Sequence, residues 1–96
     1  MGDAIIRRRL RFCGTVQGVG FRWRARQAAR MTGATGWVRN NRDGSVSMEL
    51  QGREAQIDRV IQALGNSRYI RFEITQSQSV PVDETERAFS VVDDEW

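Results

Sequence analysis

The sequence predicts an α+β sandwich, one antiparallel sheet with two helices on one face. Three observations lead there. Apolar residues alternate with polar ones in several short segments, they recur at helical spacing in two longer ones, and Gly-containing turns separate the segments.

Taken in order, Ile6 to Cys13 comes first. Ile6, Leu10 and Phe12 fall on one face and Arg7, Arg9 and Arg11 on the other, with Arg8 interrupting the apolar side. Period two marks a half-buried strand. Its arginines are expected to form a solvated face that discourages edge-to-edge aggregation, in preference to a polyanion-binding patch. A glycine-rich stretch follows. Then Phe21, Ala25, Ala28, Ala29 and Thr32 lie at offsets of four, seven, eight and eleven, one face of a helix, with Gly33 as its stop. The small alanines imply close packing on a sheet.

Thr35–Asn40 and Ser45–Gln51 read as strands, with Val46, Met48 and Leu50 alternating in the second. Between them, Asn41-Arg42-Asp43-Gly44 signals a hairpin, because Asp and Gly both tolerate positive φ. A second helix runs from about Arg53 to Leu64 on the stripe Ile57, Val60, Ile61 and Leu64, closed by Gly65. Tyr69 to Thr75 alternates through Ile70, Phe72 and Ile74. Gln76 to Glu86 holds Pro81, the only proline, and reads as a loop. Ala88 to Val92 is a short last strand, and Asp93-Asp94-Glu95 a frayed tail. No repeat or linker is visible, so residues 1–96 are read as a single domain. Right-handed βαβ crossovers split around a central hairpin give the ferredoxin-like split βαβ sandwich.

Composition narrows the chemistry. All 15 basic residues are arginine, and lysine and histidine are absent, for which base composition is the plainer explanation. Without histidine, no side chain has an ordinary pKa near neutrality. No Cys/His cluster suggests zinc, and no lysine is available for a Schiff base. Cys13 is alone, so no internal disulfide can form, in keeping with a reducing compartment. No apolar run reaches membrane-spanning length, and Met1 to Arg7 does not resemble a signal peptide, so a soluble cytoplasmic protein is expected. The net charge of +3 favours anionic partners, but 12 interleaved acidic residues argue against a dedicated nucleic-acid binder.

Gly14-Thr15-Val16-Gln17-Gly18-Val19-Gly20-Phe21-Arg22 lies between the first strand and first helix. Glycines let such a loop curl and turn several N–H groups inward. A concave run of N–H groups at a helix start suits a phosphate or carboxylate. Arg22 adds a fork of donors able to bond two oxygens of one anion. The stretch therefore reads as an oxyanion cradle.

Gly14-x-Val16-Gln17-Gly18-Val19-x-Phe21-Arg22 resembles the first signature of the acylphosphatases. Gly36-Trp37-Val38-x-Asn40, followed by x-x-Asp43-Gly44-x-Val46, resembles the second. Separation and element order agree too, so the resemblance spans essentially the whole domain. It implies hydrolysis of the carboxyl–phosphate anhydride of small acyl phosphates without metal or cofactor, with Arg22 and Asn40 as the catalytic pair. The phosphate-binding loop would be Thr15, Val16, Gln17, Gly18, Val19, Gly20, Phe21 and Arg22, and inorganic phosphate would be product and competitive inhibitor.

The residues fit that implication. A carboxylate is a good leaving group, so little general-acid help is needed, and positioning and electrostatics remain. Asn40 can accept from a water and donate to a phosphoryl oxygen. Taken singly, the glycines could make only a tight turn, Arg22 could be one more solvated arginine, and Asn40 a turn former. Their joint occurrence at the family's spacing favours the site. Phe21 is read as a core anchor, Trp37 as packing, the Gln17 side chain as incidental, and Cys13 as a passive half-buried thiol. Asn41 stands where a small hydroxyl residue is also common, with a slight effect on water ordering expected. The Asp93-Asp94-Glu95-Trp96 tail is unusual for the family and is expected to bear on the end of the sheet rather than the site.

Two other readings compete. RNA-recognition motifs share the split βαβ architecture, but they stack bases on exposed aromatics of central strands, where this sequence has Arg7, Arg9, Arg11, Ser45, Ser47 and Glu49. A non-catalytic or carbamoyl-phosphate-handling module of a larger hydrogenase-maturation protein is the other. The extent of the chain leads us to expect a free-standing, monomeric enzyme with no membrane or nucleic-acid partner.

Overall fold

Alternation in the sequence becomes two faces of one sheet. A computed structural model describes residues 3–94. The elements run β1 (Ile6–Thr15), α1 (Phe21–Thr32), β2 (Thr35–Asn40), β3 (Val46–Gly52), α2 (Glu54–Gly65), β4 (Arg71–Val80) and β5 (Phe89–Val91). The strand order is β4-β1-β3-β2-β5, with β3 central. The β1–β3, β1–β4 and β2–β3 pairs are antiparallel. β5 adds itself parallel to β2, so the complete sheet is mixed at that edge. Three residues carry too little pattern to orient a strand.

Both helices cover the face made by Leu10, Phe12, Val38, Val46, Met48 and Leu50, all buried. α1 contributes Phe21, Ala25, Ala28 and Ala29, and α2 contributes Ile57, Val60 and Leu64. Phe12 is the hub, edge-on to Phe21 at 5.0 Å and to Phe72 at 5.1 Å between centroids. Gly33 ends α1 in a left-handed conformation, its N–H bonded to Ala29 O at 2.9 Å. Gly36 has φ +140°, and a Cβ there would lie 1.8 Å from Glu49 O, so no larger residue fits between β2 and β3.

The hairpin forms where expected. Asn41 N–H donates to Ser45 O at 2.8 Å, and Gly44 N–H to Asn41 O at 3.2 Å. Only Gly44 takes a positive φ; Asp43 instead accepts from the Ser45 hydroxyl and N–H, and these bonds hold its carboxyl below the usual range.

Besides the parallel β5, three readings of these elements need correction. Residues 76–80 are strand, with Ser77 facing Leu10 and Gln78 facing Arg9 across β1. They lie on an edge strand with little covering it, so both faces accept polar residues and the apolar alternation fades. A register shift at Arg11/Phe12 changes its phase as well. Second, α2 includes Gly65 and is capped by Asn66. Third, the arginine face is not uniformly solvated. Arg7 is 5% exposed. Its Nε donates to Glu49 Oε1 at 2.6 Å, while Nη1 and Nη2 meet both Glu86 oxygens at 2.8 and 3.0 Å. Gln51 extends the network to the backbone of Asp83 in both directions. This network holds the segment between β4 and β5 across the outer face. Glu86, more than any other neighbour, raises the guanidinium pKa.

Removing one partner of a buried charge cluster leaves the others uncompensated. Arg7→Ala should therefore cost about 3 kcal/mol in urea unfolding, whereas Arg8→Ala, at a partly exposed side chain bonded only to Ser77 among the described residues, should cost less than about 1 kcal/mol.

Candidate active site

β1 ends at Thr15 and α1 begins at Phe21, so residues 16–20 form the loop proper and Thr15 still pairs with Arg71. Val16 and Phe21, buried at either end, fasten the loop to the core. Gly18 and Gly20 have φ +74° and +79°, with open space where a Cβ would point. Backbone conformation, and not crowding, therefore asks for glycine there. Gly20 is the N-cap of α1 and supplies no side-chain cap, so the first-turn N–H groups remain available. None of the N–H groups of residues 16–20 donates to a backbone carbonyl among the described residues.

The loop is held from outside instead. Gln17 Nε2 donates to Asn41 O at 2.8 Å and to Ser45 O at 2.9 Å, tying it to the β2–β3 hairpin. This corrects the expectation that the Gln17 side chain is incidental. No spacing in the sequence announces the bond, because its acceptors are backbone carbonyls. Asn41 is likewise more than a neighbour of Asn40. Its buried Nδ2 donates to Ser45 Oγ at 2.9 Å and Ser47 Oγ at 2.7 Å, bracing the hairpin that receives Gln17.

Arg22, in the first turn of α1, and Asn40, the last residue of β2, line one cavity with Val16, Gly18, Gly20 and Phe21. Its volume is about 400 Å³. Asn40 is 7% exposed, and its Oδ1 is the one buried side-chain polar atom without a hydrogen bond among the described residues. Such an acceptor costs roughly 1–3 kcal/mol if nothing ever fills it. Arg22 Nη1 donates to Asp94 Oδ1 at 2.8 Å. The acidic tail, expected to leave the site untouched, thus reaches Arg22; Glu95 and Trp96 lie outside the described residues. The remaining expectations fall elsewhere. Trp37 lies on the outer face beneath Arg9 and Arg39, 5.6 and 5.5 Å from its ring centre. Cys13 is half-buried with Sγ 3.4 Å from Thr75 Oγ1, outside the cavity lining. No group of three or more His, Cys, Asp or Glu is placed to hold a metal, and no helix is long and apolar enough to cross a membrane, among the described residues.

Fold and loop together define a ferredoxin-like α+β domain with N–H groups that have no backbone partner among the described residues gathered at the start of its first helix. The chain belongs to the acylphosphatase family, whose model matches residues 8–91. It is 39% identical over 89 residues to the acylphosphatase of Bifidobacterium longum, covering 91% of this chain and 92% of that one. The crystal structure of acylphosphatase from Bacillus subtilis superposes with a TM-score of 0.77 at 30% identity, covering 91% of this chain and 98% of that one. A crystal structure of full-length HypF in the phosphate- and nucleotide-bound form gives 0.80 at 29% identity over 96% of this chain, which spans only 12% of that longer protein.

If Gln17 is the external tie, Gln17→Ala should accelerate amide hydrogen exchange in residues 16–20 and 41–45 while lowering global stability by only about 1–2 kcal/mol. Uniform acceleration across the sheet would show instead that the bond supports the whole fold.

Proposed function

We propose that the chain hydrolyses small acyl phosphates to a carboxylate and inorganic phosphate, by direct attack of a water that Asn40 orients. The observation that carries this reading is the buried, unpartnered Asn40 Oδ1 in the same cavity as Arg22 and the glycine loop. Family membership supports the reaction class.

The roles follow from the chemistry. The N–H groups of the stretch Thr15 to Phe21, with the Arg22 fork, hold the phosphoryl oxygens and meet the charge that builds on them. Asn40 Oδ1 accepts a hydrogen bond from the water, and its Nδ2 donates to a phosphoryl oxygen. The water oxygen bonds to phosphorus as the bond from phosphorus to the acyl oxygen breaks. The carboxylate leaves with that bonding pair, and the water proton passes to a phosphate oxygen. A carboxylate of low basicity needs no general acid, so the reaction makes no demand for histidine, metal or cofactor. Among the described residues Arg22 bonds only to Asp94, through Nη1, which leaves the other guanidinium edge for the ligand.

Inorganic phosphate is then both product and competitive inhibitor. The reading is of a cytoplasmic monomer acting on a soluble substrate. A base-stacking role is disfavoured, since Arg9 and Arg39 flank Trp37 and ion pairs occupy Arg7.

The test is steady-state hydrolysis of benzoyl phosphate with and without EDTA, with phosphate as competitor. Activity should survive chelation; loss in EDTA and recovery with magnesium or zinc would overturn the mechanism. Arg22→Ala should abolish turnover and phosphate inhibition together, and Arg22→Lys should rescue poorly because a point charge cannot reproduce the fork. Asn40→Ala should lower kcat by on the order of 10², the scale for one preorganised polar group, with KM and the phosphate inhibition constant little changed. A folded Asn40→Ala protein with normal kcat would remove Asn40 from the reaction.

A further inference from the structure

Arg26 lines the same cavity as Arg22, together with Trp23 and, on β5, Val91. It follows Arg22 by four residues on α1, which puts it on the same helical face about 6 Å further along the axis. The two arginines differ in their surroundings. Arg22 already holds Asp94, while Arg26 is exposed and makes no hydrogen bond or ion pair among the described residues.

The phosphoryl chemistry above uses the loop and Arg22 and leaves Arg26 unused. The cavity is larger than that chemistry requires: about 400 Å³ falls within the range of whole small-molecule sites. It continues past the loop toward the second turn of α1, which leaves room for the acyl part of a substrate on the Arg26 side. An uncharged acyl group would leave that guanidinium without an anion in the cavity. A carboxylate at the far end of the acyl chain would supply one. With two methylenes between the acyl carbonyl and that carboxylate, the extended spacing from phosphorus is about 6 Å, matching the rise between the arginines. Asp94 on Arg22 shows that a carboxylate is sterically accepted beside this face of α1.

We propose that Arg26 is a specificity-determining residue that favours acyl phosphates carrying a second, distal carboxylate. The proposal rests on the acyl-phosphate reading above. Arg26 acts in binding and not on the reacting atoms, so its effect belongs in KM. Because the group is exposed, the gain is modest and screened by salt, roughly five-fold in KM at low ionic strength.

The experiment compares two probes of equal chain length, the monoacyl phosphate of butanedioic acid and butyryl phosphate, on the wild-type protein and on Arg26→Gln and Arg26→Lys. At low salt the wild-type protein should show a KM roughly five-fold lower for the dicarboxylic probe, at similar kcat. That ratio should fall to about one in Arg26→Gln, be largely kept in Arg26→Lys, and shrink for the wild type in high salt. Equal KM values in the wild-type protein, or a preference that persists in Arg26→Gln, would overturn the proposal. So would an equal loss on both probes in a folded variant, which would mark Arg26 as structural. Failure of the wild-type protein to hydrolyse either probe is a separate result, since it removes the acyl-phosphate reading itself.

Discussion

A loop whose N–H groups have no backbone partner among the described residues is not held in place by them. Residues 16–20 meet this constraint by anchoring side chains, their own and that of the adjoining Phe21, in the core and on the β2–β3 hairpin. Val16 and Phe21 bury their side chains beneath the sheet and against Phe12, and Gln17 reaches to carbonyls of the hairpin. The hairpin is in turn stiffened by Asn41, Ser45 and Ser47. The loop's shape is therefore set before any anion arrives. Preorganisation of this kind matters for a reaction whose catalysis rests on positioning and fixed dipoles.

The same economy places Asn40. Its backbone completes the β2–β3 ladder opposite Val46, so the side chain has little freedom to leave the cavity. An acceptor buried there without a partner is a standing cost to the fold. It is balanced only when something donates to it, and in this cavity a water is the natural donor. Arg22 is under the opposite pressure: a half-exposed cation with a carboxylate, Asp94, already at one corner. The tail thus moderates the charge that the loop and α1 concentrate, without occupying the whole guanidinium.

Much of this was legible in the residues. Alternation and helical spacing placed the buried faces of β1, β3, α1 and α2, and the doubled glycine motifs located Arg22 and Asn40 near one another. What escaped did so for physical reasons. β4 beyond Thr75 has polar residues because an edge strand with little covering it has no core to fill. Arg7 looks like Arg9 and Arg11 on the sequence, yet the fold returns Glu86 to it from 79 residues away, a pairing no local pattern encodes. Gln17 bonds to carbonyls that every residue possesses. Asp94 reaches Arg22 only because β5 lies parallel beside β2 and carries the chain back over the start of α1.

The central claim is that Asn40 Oδ1 faces the oxygen that attacks phosphorus. A crystal structure with vanadate in the cavity tests it most directly, because five-coordinate vanadium displays the attacking and leaving positions as its apical oxygens. The account predicts equatorial oxygens on the loop N–H groups and Arg22, and one apical oxygen within about 2.6–3.2 Å of Asn40 Oδ1. Vanadate bound with both apical oxygens turned away from Asn40, or held outside the loop altogether, would contradict it.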